Sequence, residues 1–238
     1  MPTFRPGTLD AYIWYNIVER NEYNLPEEFN EDDVIIDIGA HIGAFSYACW
    51  QRGAREVHAY EALHDNYKVL VKNTEGTFIV PYNLAVWRSD INYPYVLRHT
   101  GSSFLSDGRE NTGGGNVFWT EGSSIKIPAI ALDTILSTVD KVRLLKLDCE
   151  SAEWPILFTS TQLHRVEMII GEYHEVNGVN DKGVIPEHAR ITGIDSFSID
   201  ILKQHLERQG FVVEIYSDYY NKDGIITLSH IGKFLAYK

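Results

Sequence analysis

Short runs of consecutive apolar residues alternate along this chain with longer stretches whose apolar positions recur every three or four residues. Val34-Ile35-Ile36-Asp37-Ile38 is nearly all apolar and β-branched, the pattern of a strand covered on both faces. From Gly43 to Arg52, Phe45, Ala48 and Cys49 fall at i, i+3 and i+4, and Gly53 is placed to end that helix. A second strand is expected from Glu56 to Ala62, then a helix with Tyr67, Leu70 and Val71 on one face, then a third strand over 78–86. This β-α-β-α-β order predicts parallel strands joined by crossover helices.

The rhythm breaks over 88–128, where Gly101, Gly108 and Gly113-Gly114-Gly115 mix with Tyr93, Tyr95, Phe104, Phe118 and Trp119. An insertion of short strands and loop is expected here, of the kind that covers a site. Beyond it, Leu132, Ile135, Leu136 and Val139 form a helix face, and Val142 to Leu147 a buried strand that ends at Asp148. A helix follows from about Ser151, with Pro155 tolerable in its first turn. Next come a strand from Glu167 to His174 and a helix carrying Ile199, Leu202 and Leu206, stopped by Gly210. The closing strands, Val212–Tyr216 and Ile225–Tyr237, have no helix between them and should pair antiparallel. The expected fold is α/β: one doubly wound, Rossmann-like, mostly parallel seven-stranded sheet with an antiparallel edge. A helical N-terminal extension over 1–32 precedes the domain of 33–238.

Composition narrows the function. Lysine and arginine total 21 against 33 acidic residues, a net charge of −12. Such a surface repels phosphate backbones, so broad nucleic-acid binding is not expected. Two cysteines, Cys49 and Cys149, make neither a disulfide framework nor a zinc pattern. With no apolar run near the length of a membrane span, the chain reads as a soluble, cytoplasmic protein.

The most informative stretch is Asp37-Ile38-Gly39-Ala40-His41-Ile42-Gly43, between a buried strand and a helix, where a nucleotide-type cofactor meets a helix N-terminus. Gly39 permits a tight turn and Gly43 a close approach of helix to strand. Glu61, at the end of the second strand, can accept hydrogen bonds from both hydroxyls of a ribose. A dinucleotide brings a pyrophosphate, for which the neighbouring acid Asp37 is awkward. S-adenosylmethionine brings a sulfonium and an α-ammonium, for which an acid is useful. Electrostatics favour the second cofactor over an NAD-linked oxidoreductase. A cofactor-binding domain without catalysis would share the same loop.

These segments resemble the class I S-adenosylmethionine-dependent methyltransferases and, among them, the FkbM family. Three blocks carry the resemblance: residues 34–43, Leu132-Asp133 heading a helix, and Leu144-Leu145-Lys146-Leu147-Asp148-Cys149-Glu150-Ser151-Ala152-Glu153. The family commonly has Asn where His41 stands and Gly where Ser151 stands; Ser151 could instead cap the helix directly. The resemblance implies methyl transfer to a small molecule, most often to a hydroxyl of a natural product or saccharide. It also implies that Asp37, Gly39 and Gly43 hold the methionine end of the cofactor and Glu61 its ribose, with His41 and Asp148 beside the cofactor as well. Asn83-Leu84-Ala85 would then adjoin the adenine, although Asn83 suits a structural turn equally well.

In a doubly wound sheet the reacting groups lie beyond the C-terminal ends of the strands. Asp148, Glu172 and His174 occupy such positions, with Glu172 and His174 two apart and on one face. Three readings compete. His174 acts as general base near neutrality; or the three bind a divalent ion, as in catechol-type methyltransferases; or Glu172 and His174 hydrogen-bond each other and order a loop. The spacing fixes no ligand geometry, so no metal is assigned.

Overall fold

The computed structural model describes residues 1–91, 96–98, 103–119, 125–176, 184–222 and 225–238. Tyr93, Tyr95 and Gly101 of the expected insertion lie outside them. The N-terminal segment forms α1 (Asp10–Trp14), which runs directly into a wider π-turn, Tyr15–Glu19. The central elements follow as β1 (Val34–Ile38), α2 (Ala44–Gln51), β2 (Glu56–Tyr60), α3 (His64–Asn73), β3 (Ile79–Tyr82) and β4 (Ala85–Trp87). The insertion contributes β5 (Val96–Arg98), β6 (Ser103–Phe104), β7 (Glu110–Asn111) and the start of β8 (Lys126–Ala131). After α4 (Leu132–Leu136) come β9 (Leu144–Leu147), α5 (Glu153–Thr159), β10 (Met168–His174), α6 (Ile199–Arg208), β11 (Val212–Lys222) and β12 (Ile225–Tyr237).

Seven strands make the main sheet in the order β11-β12-β10-β9-β1-β2-β3. β1 pairs in parallel with β2 and β9, and β9 in parallel with β10. The antiparallel edge is a hairpin whose returning strand β12 tucks in against β10, leaving β11 outermost. This is the expected α/β architecture.

Alternation along β1 feeds two cores. Ile35 joins Val57 and Leu144 on one face beneath α2, together with Tyr23, Leu25 and Phe29 from the N-terminal segment. Ile36 and Ile38 join Leu145, Leu147, Trp154 and Phe197 on the other. Both faces are therefore dry, which is why β1 carries so few polar residues. Its one acid, Asp37, sits directly across from Lys146 of β9.

Two expectations are corrected. The third strand is not continuous over 78–86. It breaks at Asn83 and Leu84, and β4 leaves the main sheet to pair in parallel with β8. The inward face of α3 consists of Asn66, Val69, Leu70 and Asn73, while Val71 is exposed. The two asparagines are tolerable inside because Asn66 Nδ2 donates to the Thr112 carbonyl (2.8 Å) and Asn73 Nδ2 to the Ile42 carbonyl (2.9 Å). Among the described residues, no helix is long and apolar enough to cross a membrane.

Candidate cofactor and acceptor site

At the carboxyl end of β1 the chain turns at Gly39 (φ 78°), where a Cβ would stand 1.9 Å from the Asp148 carbonyl oxygen. The β1 and β9 termini thus approach too closely for any side chain. Gly43 (φ 90°) starts α2, and a Cβ there would meet Leu70 Cδ1 at 2.7 Å. Between them His41 holds φ 52°, an uncommon conformation for a residue with a side chain. Its backbone N–H donates to Glu61 Oε2 (2.7 Å), tying the loop to the end of β2. Glu61 Oε1 accepts from the Leu63 N–H (2.8 Å) and the Asn66 amide (3.4 Å). Burial pushes the Glu61 carboxyl up to about 7 despite these donors.

A cavity of about 320 Å³ opens along this edge. Gly39, His41 and Glu61 line it, with Leu84, Ala85 and Val86 as an apolar wall and Asp148 and Glu172 facing it. The N-terminal segment closes one side with Tyr12, Asn16 and Tyr23, and the insertion another with Asn111, Gly113 and Val117. These two covers are joined to each other. The Leu9 N–H donates to the Glu110 carbonyl, and Thr112 Oγ1 donates to Asp10 Oδ1 (3.0 Å). Asp10 is fully buried and receives a forked bond from Arg5 (2.8 and 2.9 Å), whose third nitrogen donates to Asn66 Oδ1.

Because the Thr112 hydroxyl hydrogen points to Asp10, His41 Nε2, 2.7 Å from Thr112 Oγ1, is assigned as the protonated ring nitrogen. Burial holds the ring far below its ordinary value, at about 4, so His41 is neutral. Its Nδ1 is left as a buried acceptor without a partner among the described residues.

Three other candidates sit behind the cavity rather than in its wall. Asp37 is fully buried; Oδ2 accepts from Ser46 Oγ (2.7 Å), and Oδ1 pairs with Lys146 Nζ at 3.1 Å. The expectation that Asp37 faces a cofactor cation is corrected: its charge is matched internally by a lysine of the adjoining strand. Gly43 acts through the start of α2. Asn83 Nδ2 donates to the carbonyls of Glu61 (2.9 Å) and Ala62 (3.1 Å), so its amide shapes the turn after β2 while Leu84 and Ala85 meet the cavity.

Asp148, Glu172 and His174 do come together. Asp148 Oδ2 accepts from Tyr23 Oη (3.0 Å) and lies 4.0 Å from Lys146 Nζ. Burial alone would raise its carboxyl, but Lys146, His174 and Tyr23 outweigh it and hold the group below the usual carboxylate range. Glu172 goes the other way: burial, then the charge of Asp148, push it up to about 8. His174 is flanked by carboxylates, with Nδ1 3.2 Å from Glu153 Oε1 and Nε2 3.6 Å from Glu150 and 3.8 Å from Glu172. Burial works against its charge, yet these acids, Glu153 above all, raise it to about 10. His174 is therefore an imidazolium at neutral pH, which goes against the first of the three sequence readings, a free general base. Its distance to Glu172 is that of an ion pair, longer than a hydrogen bond. The turn before α5 uses left-handed backbone at Glu150 (φ 55°) and Ser151 (φ 76°), and no side chain caps the helix, so Ser151 is not an N-cap.

Residues that sequence reasoning passed over complete the cluster. Lys146 Nζ also donates to the Gly39 carbonyl (2.8 Å), and burial against its charge is outweighed by Asp37 and Asp148. Glu153, fully buried, accepts from the His174 N–H (2.8 Å). The signal was available: a lysine in a strand dry on both faces needs acids around it. Tyr23 carried none, since it lies in sequence far from both blocks.

The chain matches the model of the "Methyltransferase FkbM domain" over residues 37–213, well over half its length. It is 32% identical over 168 residues to the hexuronic acid methyltransferase AglP of Haloferax volcanii, a match spanning 67% of this chain and 63% of that protein. The chain thus corresponds to less than two thirds of that relative. Among solved structures it is similar to an FkbM methyltransferase from Methylobacillus flagellatus (13% identity, TM-score 0.46, 94% of this chain and 48% of that one). It is also similar to a protein from Listeria monocytogenes described as an S-adenosylmethionine-dependent methyltransferase (12% identity, TM-score 0.49, covering 96% and 99%). The cavity fits such a cofactor on its own chemistry. Glu61 suits a diol, the Leu84–Val86 wall an adenine, and the unpartnered His41 Nδ1 and the Asp148 carboxylate a cation with N–H donors. The chain belongs to the FkbM methyltransferase family, and its cofactor is S-adenosylmethionine.

Proposed function

We propose that this protein transfers a methyl group to a hydroxyl oxygen of a small, polyhydroxylated acceptor, a saccharide or natural product. The observation that carries the reading is that Glu61 and the Asp148–Glu172 pair open onto one cavity on either side of the glycine loop. The acid-bearing sugar named for the Haloferax relative supports the acceptor class. S-adenosylmethionine, when bound, supplies an electrophilic methyl on a sulfonium whose leaving thioether needs no protonation.

The chain's own residues have three tasks. Gly39, His41 and Glu61 hold the cofactor, with Asp37, Gly43 and Asn83 fixing the loops that present them. Asp148, kept ionised, offers a negative charge at the end of β9. Glu172 removes the acceptor's hydroxyl proton, a role for which a carboxyl raised toward neutrality is suited. The His174 imidazolium, anchored by Glu153, faces Glu172 and stabilises the carboxylate form that accepts the proton. The two covers, from residues 1–23 and from the insertion, keep water from the reacting atoms.

The test is incubation with trideuteromethyl-labelled cofactor and a panel of hexuronic acids, neutral sugars and phenols, read by mass spectrometry and NMR. An O-linked label, formed at a rate that rises with pH through about 8 and collapses in Glu172→Gln, is expected. A label on nitrogen or carbon, or an unimpaired Glu172→Gln enzyme, contradicts the reading.

A further inference from the structure

We propose that Glu22 and Tyr23, carried in by the N-terminal segment, are positioning residues that divide the work between the two site carboxylates. Tyr23 holds Asp148, and Glu22 draws Lys233 away from Glu172. The inference rests on the roles given above to Asp148 and Glu172.

The geometry is a two-point clamp. Tyr23 is buried, packs edge-on against Phe45 (5.2 Å, 87°) and donates its phenol hydrogen to Asp148 Oδ2 at 3.0 Å. Without that donor, Asp148 Oδ2 keeps Lys146 Nζ 4.0 Å away, an ammonium already held by Asp37 and the Gly39 carbonyl, so the carboxylate loses a hydrogen bond that favours its charge. One residue earlier, Glu22 Oε1 receives Lys233 Nζ at 2.6 Å, and the same ammonium lies 5.2 Å over the Tyr23 ring.

Lys233 has an alternative partner. In the β10–β12 ladder it stands directly across from Glu172, and such pairs bring Cβ atoms within about 5 Å. A lysine there would ordinarily pair with the glutamate. Glu22 takes the hydrogen bond of the ammonium instead, so Lys233 acts on Glu172 only as a charge at a distance, beside Asp148 and Glu150 from the turn after β9 and His174 on its own strand, with Tyr23 close by. Burial and two acids, with Lys233 drawn toward Glu22, keep a proton on Glu172 against the opposing charge of the His174 imidazolium. One dipeptide thus supplies a hydrogen bond that favours the charge on Asp148 and weakens the hold of a cation that would favour it on Glu172.

The experiment is a ¹³C NMR titration of the aspartate and glutamate carboxyls in the full chain, from pH 2 to 10, with and without S-adenosylhomocysteine. Glu22→Gln should lower the Glu172 midpoint by about half a pH unit, the size of a partly exposed ion pair. Lys233→Met should raise it, and the double variant should behave like Lys233→Met alone. Tyr23→Phe, which keeps the ring against Phe45, should raise the Asp148 midpoint by at least as much. A purely structural contact would move neither midpoint. Glu172 unchanged in Glu22→Gln, or Asp148 unchanged in Tyr23→Phe, overturns the proposal. Failure of the catalytic reading shows separately, as full turnover by Glu172→Gln.

Discussion

Replacing Lys146 by Met leaves Asp37 as a fully buried carboxylate whose remaining partner is the Ser46 hydroxyl. Such a charge escapes by taking up a proton. At pH 7 that costs an aspartate of ordinary pKa near 4 about 4 kcal/mol, which caps the loss, and breaking buried pairs costs about 3–5 kcal/mol in general. The expected loss for Lys146→Met is therefore about 3–4 kcal/mol. Asp37→Asn should cost a similar amount, because it strands an ammonium that is 3% exposed. The double variant, which buries neither charge, should lose far less than the two singles combined, with a coupling of about 3 kcal/mol. A pH signature goes with it. In Lys146→Met the folded chain holds a proton that the unfolded chain releases, so its deficit should shrink to about 1–2 kcal/mol at pH 5. Urea unfolding followed by tryptophan fluorescence gives all of these values. Single variants within 1 kcal/mol of the parent, strict additivity, or a deficit that does not change with pH would refute the assignment of Asp37 as a structural counter-ion.

Other outcomes follow from the same geometry. Ser151→Gly should raise stability by about 1 kcal/mol, or a few degrees in Tm, because glycine accepts φ 76° without strain; a lower Tm would contradict this. Resistance to urea should decline from pH 6 to pH 10. His174, raised from 6.5 to about 10, contributes stability that is complete below 6.5 and lost as pH rises through 10. Glu172, raised from 4.5 to about 8, acts in the same direction between those values, so Glu172→Gln should flatten the lower part of the decline. A flat profile in the parent protein would contradict both.

Much of the fold could be read from the sequence because β1 and β9 are dry on both faces and therefore nearly all apolar, as is β10 up to its carboxyl end. Gly39 and Glu61 were legible for a similar reason: a strand that ends in a tight turn, followed by an acid at the next strand's end, has few other uses. What escaped were polar groups buried by partners distant in sequence. Asn66 and Asn73 face inward on α3 because Thr112 and Ile42 offer carbonyls to them, and no hydrophobic periodicity records that. Asp37 was assigned to the cofactor because its partner, Lys146, lies across the sheet and far along the chain. The reading of His174 as a general base, one of three, fails because three glutamates converge on it from the turn before α5, from α5 and from its own strand, of which its own segment announces only Glu172. Tyr23 reaches Asp148 from a segment that pattern alone marks as an appendage.

The central claim is that Glu61 grips the cofactor's ribose inside a cavity shared with Asp148 and Glu172. Calorimetric titration of S-adenosylhomocysteine into the parent protein and Glu61→Gln tests it most directly. Clear heat is expected with the parent and affinity at least about tenfold weaker in the variant, the loss of one charge-assisted hydrogen bond. No heat with the parent, or equal affinity in the two proteins, would contradict it.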